Sequence, residues 1–150
     1  MLTVRFWLDD KELPPLPDEL MHLAVFNYDR LEIPPKLPAG LKALTVSGGD
    51  KEITLPELPA GLECLCLLNF RAITNLQTLP SRLKVLTLSS PWLEKIPELP
   101  ASLEQLEINL FEHHERTQPA NPHSQELRLP AFPSGLTQVR LIDCPNLGPK

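Results

Sequence analysis

The feature that most limits what this chain can fold into is a ten-residue phrase, Leu-Pro-x-x-Leu-x-x-Leu-x-apolar, that recurs along it. Copies begin at Leu16, Leu37, Leu58, Leu79 and Leu99, and a sixth begins at Phe132 with Phe in place of Leu. The next aligned leucines are Leu20, Leu41, Leu62, Leu83, Leu103 and Leu136. They are followed by Leu23, Leu44, Leu65, Leu86, Leu106 and Val139, and then by Val25, Val46, Leu67, Leu88, Ile108 and Leu141. A period near twenty residues, held over this many copies, is the signature of a stacked repeat rather than of a globule with one irregular core.

The spacing within a copy sets the local structure. Leu86-Thr87-Leu88 and its equivalents alternate with period two, which places the apolar side chains on one face of a short strand. The remainder of each unit carries proline, often twice, as in Leu13 to Pro17, Leu55 to Pro59, Ile96 to Pro100 and Leu129 to Pro133. Proline fixes φ near −65° and lacks an N–H, so these segments should be extended and not helical. With 18 prolines in 150 residues, long helices are excluded. One unit cannot bury its leucines alone; stacked units bury them as a continuous column beneath parallel strands about 4.8 Å apart.

The pattern resembles the leucine-rich repeat, and its short period and repeated Leu-Pro are similar to the bacterial subclass found in type III secreted effectors of the IpaH and YopM kinds. The resemblance covers roughly residues 13–147. It implies one leucine-rich-repeat solenoid over 1–150: a capping strand within 1–12, then repeats over 13–147. A short curved parallel sheet of about seven strands would line the concave side, with extended segments on the convex side. The family places Asn three residues after the strand's last apolar position, where this chain has Tyr28, Gly49, Phe70, Pro91, Phe111 and Cys144. An amide ladder is therefore absent or shifted (Asn27 and Asn69 fall one residue early), and Tyr28, Phe70 and Phe111 are expected to fill that interior column by packing. Cys144 resembles the cysteine-bearing variant of the repeat. The effectors carry a leader before their repeats and the ligase members a large catalytic domain after them; only the repeat domain is matched here.

Two segments stand outside the repeat. Thr3 to Leu8 alternates, with Val4, Phe6 and Leu8 on one face, and should add a first strand that covers the end of the core; Trp7 then either points away from that face or wraps over the open end. The longer step before the sixth copy marks an insertion over about 111–126, polar and broken by proline, which reads as a surface loop. His113, His114 and His123 lie in it beside Glu112 and Glu115, but their spacing matches no zinc motif and they read as solvated side chains.

Chemistry is otherwise sparse. A net charge of −5 argues against nucleic acid, whose binding needs clustered Lys and Arg. There is no run of apolar residues long enough for a membrane span and no signal-peptide pattern at the start. Three cysteines are too few and too odd for a disulfide framework, which fits a reducing compartment. Cys64 and Cys66 share the outward face of the third repeat's strand, with Cα atoms about 6.7 Å apart, at the edge of disulfide reach and with parallel Cβ directions. Ala43, Thr45, Val85 and Thr87 around them include no base, so they read as two small surface residues rather than a nucleophile. Gly48-Gly49 reads as a turn and not as a phosphate loop. The expectation is a protein without enzyme activity, metal or cofactor.

What remains is a surface. Between the buried leucines the outward columns read His22, Ala43, Cys64, Val85, Gln105, Gln138; Ala24, Thr45, Cys66, Thr87, Glu107, Arg140; and Phe26, Ser47, Leu68, Ser89, Asn109, Ile142. Phe26, Leu68, Val85 and Ile142 are apolar where stacking should leave them accessible, and Glu107, Asn109 and Arg140 are their polar companions. A partly apolar floor of this kind fits a protein interface with a few anchors. The expected function is protein binding by a monomer, with a host protein or a bacterial toxin as partner, in the bacterial cytoplasm or, for an effector, inside a host cell. The alternative is the substrate-recognition part of a bacterial ubiquitin-ligase effector.

Overall fold

The computed structural model describes residues 2–7, 13–26, 36–48, 52–70, 72–74, 76, 78–90, 93, 95–110, 127–142 and 144. Among these there is no helix. Seven strands form one parallel sheet: β1 (Leu2–Trp7), β2 (Leu20–Phe26), β3 (Ala43–Ser47), β5 (Cys64–Leu68), β7 (Val85–Ser89), β8 (Gln105–Asn109) and β9 (Gln138–Ile142), paired in chain order. The chain is a parallel β-solenoid, as the repeat predicts. The return segments also pair. β4 (Glu52–Thr54) and β6 (Ala72–Thr74) make a second, two-stranded parallel sheet with Ile53 opposite Ile73, and bridges join Lys36 to Glu57 and Lys95 to Arg128. The sequence reading expects these segments to be extended but does not foresee that they pair.

Each strand is reached through the same turn. The proline carbonyl accepts a hydrogen bond from the leucine N–H three residues on: Pro17 from Leu20, Pro38 from Leu41, Pro59 from Leu62, Pro80 from Leu83, Pro100 from Leu103 and Pro133 from Leu136, all at 3.0–3.1 Å. This is why the Leu-Pro-x-x-Leu spacing is invariant through the chain: one residue more or less would break the bond and rotate the strand's side chains to the wrong face. The residue after each leucine then bonds to the previous turn of the solenoid, as Glu63 N–H does to Lys42 O at 2.8 Å and Lys84 N–H to Glu63 O at 2.8 Å. At this rim the Glu63 carboxylate lies 3.3 Å from Lys42 Nζ and 3.4 Å from Lys84 Nζ. The two ammonium groups, Lys42 first, hold its pKa below the ordinary carboxylate value. Its small contribution is present above the unfolded-state pKa and lost as pH falls through the folded one.

Inside, the three leucine columns are sealed through the first five copies. Leu20, Leu41, Leu62, Leu83 and Leu103 have no exposed surface, and Leu23, Leu44, Leu65, Leu86 and Leu106 have at most 2%. Leu37, Leu55, Ile53, Ile96 and Leu127 close the core from the return side. Val4 packs on the same cluster, and the β1–β2 register sets Val4 beside Leu23, so the first strand extends the sheet as expected.

The sixth copy departs from the pattern. Phe132 is 47% exposed and Val139 40%, and Leu136 and Leu141 are only partly buried. Among the described residues β9 is an edge strand of the sheet with β8 as its one strand neighbour, and alignment to buried positions does not by itself bury a residue that lacks a strand on its second flank. The insertion leaves the ladder intact: β8 and β9 pair from Gln105–Gln138 to Asn109–Ile142 with no break, although 33 residues separate the partners. The loop and its histidines, with Tyr28 and Phe111, lie outside the described residues.

Three residues after the last apolar position of β5, Phe70 turns into the core and is 1% exposed, as expected for that position. Asn69, at φ 60°, turns the chain at the end of β5; asparagine tolerates this left-handed conformation better than other side-chain-bearing residues. The turned-in ring lies directly against Gly48 of the previous repeat, where an added Cβ would come within 2.7 Å of Phe70 Cδ1. Gly48 is thus required by packing and not by its φ, a role the sequence reading of a simple turn does not reveal. Cys144 also turns inward, with its Sγ 3.4 Å from Ile142 O and its side chain on the core.

Leu65→Ala should destabilise the protein by roughly 2–5 kcal/mol, because neighbours fixed in a ladder cannot collapse into the cavity. A denaturant midpoint moved by less than the equivalent of about 1 kcal/mol would remove Leu65 from the core. Gly48→Ala should cost about 1–3 kcal/mol by overpacking against Phe70, and Gly48→Ala combined with Phe70→Leu should recover part of that loss in the same unfolding assay. Replacing residues 112–125 with a short polar linker should leave a single cooperative melt, since the segment is polar in sequence, β8 and β9 pair without a break on either side of it, and loop length costs little.

Candidate functional site

Alternation along the strands leaves one face of the main sheet free of the leucine core, and register arranges its residues as a grid. One column runs Thr3, His22, Ala43, Cys64, Val85, Gln105, Gln138; the middle one runs Arg5, Ala24, Thr45, Cys66, Thr87, Glu107, Arg140. In the third, Trp7 pairs with Phe26, Phe26 with Ser47 and Ser47 with Leu68, and on the other half of the sheet Ser89 pairs with Asn109 and Asn109 with Ile142. The backbone of Trp7 lies opposite Phe26, and the two placements considered for its side chain lie outside the described residues.

The seven candidate residues fall into two groups on this grid. Phe26, Leu68 and Val85 belong to β2, β5 and β7, and each is half-buried. Ser47 separates Phe26 from Leu68, so the two apolar groups stand two strands apart, about 10 Å, with a small residue between them. Glu107, Asn109, Arg140 and Ile142 form the second group on β8 and β9. Here two residues that fall side by side in the aligned outward column form an ion pair: Arg140 Nη1 lies 3.4 Å from Glu107 Oε2. The pair is solvent-exposed and contributes little to stability, but each charge is largely cancelled by its neighbour.

Within the first group, on the central strand β5 and flanked by β3 and β7, lies the Cys64–Cys66 pair. Both thiols are free and half-buried, with sulfur atoms 3.9 Å apart. The two sulfurs are in hydrogen-bond contact, with either thiol able to donate. The hydrogen bond from Cys64 brings the Cys66 thiol down to about 6, helped by the hydroxyls of Thr87 and Thr45 and opposed by burial and the Glu107 carboxylate. The same pairing, with burial, pushes the Cys64 thiol up. Sequence reasoning places these residues on the outward face but does not find the interaction, because same-face spacing along a strand says nothing of how two side chains rotate toward one another.

Among the described residues no group of three or more His, Cys, Asp or Glu side chains is placed to hold a metal ion, and no helix is long and apolar enough to cross a membrane. No family model, curated protein or solved structure matches the chain.

Proposed function

We propose that the chain is a non-enzymatic protein-binding module that uses the open face of its seven-stranded sheet. The observation that carries this reading is the grid itself: a face held rigid by an unbroken parallel ladder, with half-buried Phe26, Leu68 and Val85 set among small and polar residues. Such a floor offers apolar anchors with little backbone ordering cost, because the strands beneath them are already fixed. The gap over Ser47 suits a partner side chain entering between Phe26 and Leu68. Glu107, Asn109, Arg140 and Ile142 form the opposite margin, where the Glu107–Arg140 pair adds orientation more than affinity. The resemblance of the repeat to bacterial effectors supports a bacterial setting, as an effector acting on a host protein or as a neutraliser of a toxin, with the protein acting as a monomer.

Affinity capture with the intact chain from bacterial and from host lysates, in parallel with Phe26→Ala/Leu68→Ala, identifies partners that depend on this face. With a partner in hand, calorimetry should show the double variant losing about 2 kcal/mol or more of binding free energy at unchanged melting temperature. Glu57→Ala and Glu98→Ala, on exposed positions of the return side, should bind as the parent does. Full affinity in the double variant, with loss in a return-side variant, would move the site to the other side of the solenoid.

A further inference from the structure

The centre of the open face carries a feature that protein binding does not use. Cys64 and Cys66 lie on one strand, paired on one flank to Ala43 and Thr45 and on the other to Val85 and Thr87. The backbone beneath both thiols is thereby fixed on both sides. Their sulfurs, 3.9 Å apart, already touch. With metal–sulfur bonds of about 2.3 Å, two sulfurs on one metal ion stand roughly 3.8 Å apart at a tetrahedral angle and 4.6 Å apart when linear. The observed separation lies at the lower end of that span, and two side chains that converge less open it toward the near-linear arrangement of a two-coordinate ion. A disulfide is a poor alternative, since it demands sulfurs near 2 Å and converging Cβ directions, whereas residues two apart on an extended strand project in parallel.

From this the geometry points to a two-thiolate site for a soft monovalent metal cation, copper(I) being the biological one, formed by Cys64 and Cys66. The donor count decides the metal. Zinc takes four ligands in a structural site and hard cations take oxygen, but the residues flanking the pair supply only a methyl group, a valine and two hydroxyls. His22, in the same column as Cys64, stands two strands away at about 10 Å. Soft thiolate donors select copper(I), which is satisfied by two of them. Binding breaks two S–H bonds, forms two S–Cu bonds and releases two protons to solvent, while copper stays monovalent. The site does not depend on the protein-binding reading.

The test is an anaerobic titration of the reduced intact chain with copper(I) against a chromogenic copper(I) chelator, with native mass spectrometry for stoichiometry. One copper per chain is expected. Cys64→Ser and Cys66→Ser should each weaken binding at least about a hundredfold, because each removes an intramolecular second donor, while Cys144→Ser should bind as the parent does. X-ray absorption at the copper edge of the unaltered protein should show a sulfur-only, two-coordinate shell, a readout that needs no variant. Failure to withdraw copper from the chelator, retention of affinity in Cys64→Ser and Cys66→Ser, a nitrogen or oxygen ligand, or zinc bound as tightly as copper would each overturn the assignment.

Discussion

In every copy the leucine that leads into the strand, Leu20 and its equivalents, donates its N–H to the proline carbonyl three residues before it, and the rest of the solenoid is built on that turn. It ends the extended return segment, aims the next residues along the strand and fixes which of them face inward. Because the turn is the same in all six copies, successive strands start at the same height and their leucines fall into columns. Proline suits the position because its carbonyl is free to accept and its missing N–H is not needed there. Hydrophobic burial supplies most of the stabilisation, at roughly 1.5–3 kcal/mol for each sealed leucine, but only because the turn delivers the leucines in register.

Stacking of this kind makes stability a matter of neighbours. A repeat with partners on both flanks seals its core, as Leu65 and Leu86 show; a repeat with one partner does not, as Val139 and Phe132 show. The contrast arises from position and not from composition, since Val139 aligns with Leu106, which is 1% exposed. In a quasi-one-dimensional molecule the outermost described strand is held by a single interface, and local opening is expected to be least costly there.

The parts legible in the sequence were those governed by a short period. Alternation gave the strands, the twenty-one-residue step gave the stack, and the proline runs excluded helix. Phe70 as interior filler could be read from its alignment with the missing asparagine. Gly48 could not, because its need to be glycine comes from a ring in the next repeat, and no local pattern reports a contact across that distance. The β4–β6 sheet escaped notice for a similar reason: three-residue strands carry too little alternation to be distinguished from extended chain. On the open face the candidate positions were legible as positions, since register dictates them. The Glu107–Arg140 pairing follows from register once the 33-residue step is aligned, whereas the sulfur contact between Cys64 and Cys66 depends on rotamers, which sequence spacing does not fix.

The division of labour between the two faces explains how such a chain acquires function. Inward positions are constrained on all sides by leucine columns, so a change there alters stability. Outward positions are constrained only in location: neighbours lie about 4.8 Å away across strands and about 6.7 Å away along one. A substitution on this grid changes a single point and leaves the ladder beneath it untouched. Apolar anchors at Phe26 and Leu68, an ion pair at Glu107 and Arg140, and a thiol pair at Cys64 and Cys66 can therefore coexist on adjacent strands without competing for the same structural support. The fold determines where chemistry can be placed, and the identity of the outward residues determines which chemistry it is.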